Sequence, residues 1–391
     1  MTTRSGRTRM KSIYADQAAT SYPKPPEVIR AMTDFLKYKG GNAGRGSHRL
    51  ALSAAEEIFA CRETAAAFFG SSHPERVVFT MNTTHAINMA LRGILKPGDH
   101  VLCSDMEHNS VWRTLWLMQQ EGTVTFDTFA SFSGIAIRTK EMILQDIARK
   151  IKPNTRLLVC CHSSNLCSAT LPLADIGSLC REHGMLFVVD GAQSAGILPI
   201  HMEDMGIDAL CVPGHKGLMG PQGTGMLLLG TRISPAPFMV GGNGVDSLSP
   251  DMSHEPPEMY EAGTLPAVGI AGLRAGMDFV KSTGLDTIRR HEGMLGSRLM
   301  SALVTMPHVT VYAPHHEGGT VLFSVRGHAS DRVGQYLDRL GICVRSGFHC
   351  AALGHATLNT PPDGAVRASF GYFNTEKECD HIIAAIDRLR K

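Results

Sequence analysis

The sequence predicts an α/β protein in which a mostly parallel sheet, covered by helices on both faces, is followed by a smaller α+β C-terminal domain. Two observations predict it. Up to about residue 265, short apolar runs rich in β-branched residues alternate with longer helical patterns, as in βα units whose strands are buried on both faces. After that point two helices, then strand-like pieces, then a last helix follow one another, the grouping of an α+β unit.

Residues 77–80, 101–104, 157–162, 186–190, 209–212 and 226–229 are apolar enough to form buried strands. Between them, 85–95 and 175–183 carry helical spacing. In the second unit, helices are expected at 268–283 and 287–304, strands at 309–312 and 320–325, and a final helix at 375–390. Residues 241–257, rich in Gly, Pro, Ser and Asp, form a connecting loop. The expected division is an N-terminal arm (1–25), a large domain (26–265) and a small domain (266–391) that carries Cys350 and Arg367.

Composition narrows the classes of function. The 391 residues are 43% hydrophobic and 19% charged, with a formal net charge of +2, ordinary for a soluble α/β enzyme. No global field favours nucleic acid or an anionic membrane, and no basic groove with interleaved aromatics is visible. No apolar run is long enough to span a bilayer. Arg4, Arg7, Arg9 and Lys11 have no apolar core after them, so the start does not read as a secretory signal; a solvated tail is the favoured reading, and the Ser, Thr and Arg content leaves a transit peptide as the alternative. The ten cysteines include adjacent Cys160 and Cys161 in an apolar run and no CxxC pair. That usage predicts reduced thiols, no metal site and a cytoplasmic setting.

The polar residues of interest follow the strands, and in an open parallel sheet the loops at the carboxyl ends of strands converge on one crevice. Lys216, in Gly214-His215-Lys216, is followed by Gly217, Gly220, Gly223 and Gly225, which permit tight turns beside a ligand. Such a lysine suits a Schiff base with pyridoxal phosphate (PLP), which makes the Cα and Cβ bonds of an amino acid labile; a surface lysine is the plain alternative. Asp190 closes the apolar run 185–189. A buried carboxylate needs a cationic partner, and the PLP pyridinium nitrogen is one; a helix N-cap explains the residue as well.

The other candidates each carry two readings. Gln193 could bond the phenolic oxygen of the cofactor or sit exposed in a turn. His215 could bond a phosphate oxygen or the backbone. Thr83 and Thr84 stand at a helix start, a site for an anion or for an ordinary hydroxyl cap. His108 could stack on the ring and assist proton transfer, or be a satisfied structural histidine. Asn165 is a donor to ring or substrate, or a turn residue. Arg367, in an alternating stretch, could grip an α-carboxylate bidentately or make a surface salt bridge; Arg345 could share its role. Cys350 sits in a loop beside basic residues, a setting for a reactive thiol. Free cysteines are more often buried and inert, and only the neighbours favour the reactive reading.

Together these stretches resemble the class V aminotransferase superfamily of fold-type I PLP enzymes, and within it the cysteine desulfurases and related selenocysteine lyases. The resemblance runs from about Ile13 to Thr375. It is carried by Thr83-Thr84 with Ala86-Ile87-Asn88, Glu107-His108-Asn109, Asp190 to Gln193, Gly214-His215-Lys216, Tyr260-Glu261-Ala262-Gly263-Thr264, and Arg345 to Cys350 with Arg367. It implies a seven-stranded sheet, PLP held by Lys216, Asp190 at the pyridine nitrogen, His108 on the ring and Gln193 at the phenolic oxygen. It implies phosphate contacts from Thr84 and His215, and from Thr264 to the site of a neighbouring subunit in a homodimer. Arg367 would hold the substrate carboxylate and Cys350 would attack the substrate sulfur, so that L-cysteine gives L-alanine and a persulfide for a sulfur-acceptor protein. L-selenocysteine as substrate, or an aminotransferase, epimerase or lyase that does not use the thiol, are the alternatives. Pro213, Phe348, Leu265-Pro266 and Ala352-Leu353 depart from common residues of the group.

Overall fold

The computed structural model describes residues 12–44, 46, 48–244, 248–314 and 318–390. The basic tail and residues 245–247 of the expected loop lie outside them.

Seven strands form the main sheet, in the order Val77–Thr80, Gly225–Leu229, Ala209–Pro213, Leu186–Asp190, Thr155–Cys161, Asp99–Ser104 and Val124–Phe129. Gly225–Leu229 runs antiparallel to both neighbours, and the five strands beyond it are mutually parallel. Every residue of Val77–Thr80, Leu186–Asp190, Ala209–Pro213 and Gly225–Leu229 is buried. Alternate side chains supply two cores. Leu102, Leu158, Val189 and Leu210 pack with Ile58, Ile176 and Leu273 of the helices on one face. Val101, Val159, Val188 and Cys211 pack with Ile87, Leu91 and Leu115 on the other. Uninterrupted apolar runs are what burial on two faces demands.

The strand Val124–Phe129 was not among the six expected. It lies at the sheet edge, where Thr125 is exposed and Asp127 half-buried, so its apolar signal is diluted.

The helix Ala267–Thr283 contributes Ile270, Leu273 and Met277 to the first core and packs on the helices Pro26–Tyr38 and Arg49–Phe68. The expected division at 265/266 falls just ahead of this helix, whose core partners are those of the main sheet. The next helix, Leu285–Val304, puts Leu295, Leu299 and Leu303 into a separate core.

That second core lies against a four-stranded antiparallel sheet in the order Val309–Tyr312, Thr320–Val325, Ala365–Ser369, Arg345–Gly347. Val321, Phe323, Val366 and Ala368 face it, together with Val333, Leu337, Ile382 and Ile386 from the helices. The alternate residues Leu322 and Ala365 face the opposite way, into a cluster with Met106, Cys161 and Leu166 of the large body. The period of two therefore turns Arg367, between Val366 and Ala368, toward the main sheet. The N-terminal segment ties both units together: Ile13–Tyr14 pairs with Ile342–Cys343, and Ser21 donates its backbone N–H to the His215 carbonyl at 3.0 Å.

Candidate active site

One cavity at the carboxyl edge of the main sheet is lined by Thr83, Thr84, His108, Asn165, Asp190, Gln193, His215, Lys216, Arg345 and Arg367. The strand ends converge there as the βα order requires. Cys350 is exposed and does not itself line the cavity; it adjoins Arg345 and His349, which do, with the Arg345 guanidinium Nη2 3.5 Å from its sulfur. Thr264 lies elsewhere, exposed in a cavity with Asn42, Phe59, Arg62 and Glu261, where it accepts from Asn42 Nδ2 at 3.3 Å. Beside it, Arg62 and Glu261 form a buried ion pair.

Asp190 is 3% exposed at the last position of its strand. No helix begins there, so the cap reading is not realised; Oδ1 instead accepts from the Ala192 N–H at 2.9 Å. Burial raises its pKa, opposed by that N–H and by the Lys216 ammonium. Lys216 is pulled down to about 8 by its desolvated setting, with Arg367 and Arg345 lowering it further and Asp190 acting against them. The two groups thus gain from a ligand that supplies a cation to one and takes an amine from the other. The loop around Lys216 is fixed from several sides. Ser21 Oγ donates to the Lys216 carbonyl at 2.9 Å and Lys24 Nζ to the His215 carbonyl at 2.9 Å. A Cβ on Gly217 would collide with the Ala195 carbonyl oxygen, so the turn admits only glycine.

The helix Thr83–Ile94 is capped by Asn82, whose side chain accepts from the His85 N–H at 2.9 Å. The hydroxyl-cap reading of the threonines is therefore replaced. Thr83 Oγ1 is buried without a partner among the described residues, as is His215 Nδ1. Two orphaned polar atoms in the cavity that receives a helix N-terminus, a hydroxyl and an imidazole nitrogen that donates in one tautomer, suit a phosphate.

His108 Nδ1 accepts from the Ser110 N–H at 3.1 Å, which leaves the proton on Nε2. Burial first, then the Lys216 and Arg345 cations, lower its pKa to about 4, so the ring is neutral above that pH. Glu107 beneath it is wholly buried and accepts from Cys161 N at 2.9 Å and from Ser104 Oγ. Burial pushes its carboxyl up to about 8. Gln193 Nε2 donates to the Ala18 carbonyl at 3.0 Å.

Arg367 is 1% exposed. Its Nη1 donates to the Asn165 carbonyl at 3.0 Å and its Nη2 to Asp16 Oδ1 at 2.8 Å, whereas Nε is buried with no partner among the described residues. The surface salt-bridge reading is replaced by a buried one. Asn165 turns its amide to the cysteine loop and not only to the cavity: Nδ2 donates to the His349 carbonyl at 2.8 Å. The Cys350 carbonyl accepts from the Asn109 N–H at 2.7 Å.

Sequence reasoning did not single out Asp16, Ser21, Asn109 as an anchor of the loop, or His349. Asp16 stands in the Ile13–Thr20 stretch, and an acidic residue there was the one signal that pointed to an arginine partner.

This fold and cavity define an enzyme of the PLP-dependent transferase class. Residues 13–382 match the class V aminotransferase family model, and the chain belongs to that family. It is 34% identical over 375 residues to a probable cysteine desulfurase of Methanothermobacter thermautotrophicus, covering 94% of this chain and 92% of that one. It is 30% identical over 400 residues to a cysteine desulfurase of Serratia proteamaculans, with 97% and 93% covered. The apo structure of a cysteine desulfurase from Thermococcus onnurineus superposes with a TM-score of 0.89 at 31% identity, covering 97% and 94%. An S-sulfonic acid form of cysteine desulfurase CsdA from Escherichia coli gives 0.86 at 27% identity, also covering 97% and 94%. The family is PLP-dependent, and the orphaned Thr83 and His215 atoms, the buried Asp190 and the lowered Lys216 amine fit that cofactor.

Proposed function

We propose that this chain is a PLP-dependent cysteine desulfurase that converts L-cysteine to L-alanine and leaves a persulfide on Cys350. The observation that carries this reading is an exposed thiol held against Arg345, a residue that lines the same cavity as Lys216, Asp190 and Arg367. In this reading Thr83, Thr84 and His215 hold the phosphate of PLP, Asp190 its ring nitrogen, Gln193 its phenolic oxygen and Lys216 its aldehyde carbon. Bound there, the cofactor acts as an electron sink for charge that develops on the amino acid.

The residues of the chain do the rest. Arg367 fixes the substrate carboxylate through its fork, which sets the sulfur toward the loop. Lys216 would move protons at Cα and Cβ of the substrate, and the neutral His108 ring would lie against the cofactor in the same cavity. Cys350 attacks the substrate sulfur: the S–S bond forms, the Cβ–S bond breaks, and its electron pair stays with Cβ and is protonated to a methyl group. L-cysteine and one enzyme thiol thus become L-alanine and one enzyme persulfide, with no external oxidant. The persulfide then passes to a sulfur-acceptor protein in the cytoplasm.

We further propose a homodimer in which Thr264 reaches the phosphate site of the partner. The half-exposed Phe59 in the Thr264 cavity, and the exposed Phe238, Met239 and Val240, support an apolar contact surface.

The test is mass spectrometry of the Cys350 peptide after one turnover with L-cysteine. One added sulfur on that peptide, with an equal amount of alanine, supports the reading. Sulfur on another cysteine, or pyruvate in place of alanine, sinks it.

A further inference from the structure

His349 and Cys350 both adopt left-handed backbone, with φ of 52° and 56°. For residues with a Cβ this conformation is strained and persists only where the surroundings over-determine it. Cys350 is exposed, so no packing of its own side chain holds it. Asn165 and Asn109 bind the two carbonyls from the large body. The side chain of His349 is fixed by a different device, which draws on His355 and Thr360 from outside the cavity.

His349 is 3% exposed and so is His355, six residues on in the short helix Ala352–Thr357. His349 Nε2 lies 3.2 Å from the Arg345 carbonyl, which can only accept, so this nitrogen carries the proton. His349 Nδ1 therefore accepts, and its partner is His355 Nε2 at 3.1 Å. His355 Nδ1 in turn accepts from Thr360 Oγ1 at 2.7 Å. Each nitrogen has one partner, and the direction of the chain is set from end to end by the carbonyl. The chain is uncharged: burial and the neighbouring Arg367 hold His349 down to about 3, and burial holds His355 at about 4. The exposed Phe348 ring closes over it, edge to face with His355 at 5.3 Å.

We propose that His355, backed by Thr360, is a positioning residue that sets the tautomer and orientation of His349 and so holds the Cys350 thiol in line for attack on the substrate sulfur. His355 and Thr360 are not among the residues that line the cavity. An uncharged chain suits the place, because Arg345 and Arg367 already supply two cations there. The proposal rests on the desulfurase reading, which wild-type turnover of L-cysteine tests by itself.

The experiment compares wild-type holoenzyme with His355→Ala, His355→Gln and Thr360→Val. Loss of the donor to His349 Nδ1 lets the ring turn and the strained peptide relax; displacement of a reacting atom by about 1 Å lowers kcat on the order of a hundredfold. His355→Ala is expected to show that fall in kcat with KM for L-cysteine within about twofold, since Arg367 still holds the carboxylate. Glutamine keeps an N–H near the position of Nε2, so His355→Gln recovers most of the rate. Thr360→Val, close in shape, loses about tenfold and decides the matter if the alanine variant does not fold. Alkylation of Cys350 by iodoacetamide, which needs no alignment, stays within about threefold of wild type. Wild-type kcat in His355→Ala and Thr360→Val overturns the proposal. So does a glutamine variant as slow as alanine, or alkylation that falls as far as turnover. A wild type inactive on L-cysteine overturns the desulfurase reading instead, and is separable from all of these.

Discussion

Arg367→Lys keeps the positive charge and removes the fork. In the structure the guanidinium spends Nη1 on the Asn165 carbonyl and Nη2 on Asp16, and holds Nε buried without a partner among the described residues. A substrate carboxylate that reaches Nε and the open side of an Nη makes two charge-assisted bonds, each contributing about 1.5–3 kcal/mol. The lysine ammonium retains the Asp16 pair and at most one of these bonds. The loss of the other corresponds to a fall in kcat/KM of about ten- to a hundredfold, at about 1.4 kcal/mol per factor of ten. Because the carboxylate is bound alike before and during the reaction, the change belongs mostly to KM. The assay is steady-state formation of sulfane sulfur from L-cysteine and from cysteamine, which has the same thiol and amine and no carboxylate. The variant is expected to lose its preference for L-cysteine while its reaction with cysteamine changes by less than about threefold. Equal losses on both compounds, or an unchanged KM for L-cysteine, would refute the role of Arg367 as the carboxylate clamp.

Two further predictions rest on titrating groups. Lys216 is lowered to about 8, so its amine is protonated and unable to attack an aldehyde below that pH. Covalent loading of PLP onto apoenzyme, followed by a band near roughly 420 nm, is expected to speed up as pH rises through about 8 and then level off, and to vanish in Lys216→Ala; a rate that falls with pH speaks against it. Glu292, buried in the helix Leu285–Val304, accepts from the Tyr372 backbone N–H, and burial pushes its carboxyl from 4.5 to about 8. The folded state holds a proton that the unfolded chain releases, so stability is fully present below pH 4.5 and declines as pH rises to about 8. Glu292→Gln, which keeps the acceptor, is expected to flatten that slope and to melt higher than wild type at alkaline pH; identical slopes in a thermal-melt series would remove Glu292 as the cause.

What could be read from the sequence follows from what is local. The run ending at Asp190 is apolar at every position because both faces are covered, and so it announces both a strand and a polar residue at its carboxyl end. Lys216, His215 and Thr83 were legible for the same reason. Val124–Phe129 was not, because an edge strand alternates with Thr125 and Asp127. The placement of the helix Ala267–Thr283 on the main sheet depends on contacts with Pro26–Tyr38 and Arg49–Phe68, which no window around residue 270 contains. At the site, Asp16 meets Arg367 across 351 positions, and Asn165 meets His349 across 184. The His349, His355 and Thr360 chain is local in sequence, but its spacing matches no helical or strand period. It exists because the left-handed backbone at His349 and Cys350 brings the short helix back against His349.

The central claim is that the Cys350 thiol takes sulfur from an amino acid activated at Lys216. Alanine release from L-cysteine by Cys350→Ala holoenzyme, at unchanged cofactor absorbance, tests it most directly. The account predicts that alanine formation falls to background while the visible spectrum still responds to added substrate. Alanine released at the wild-type rate by the Cys350→Ala enzyme would contradict it.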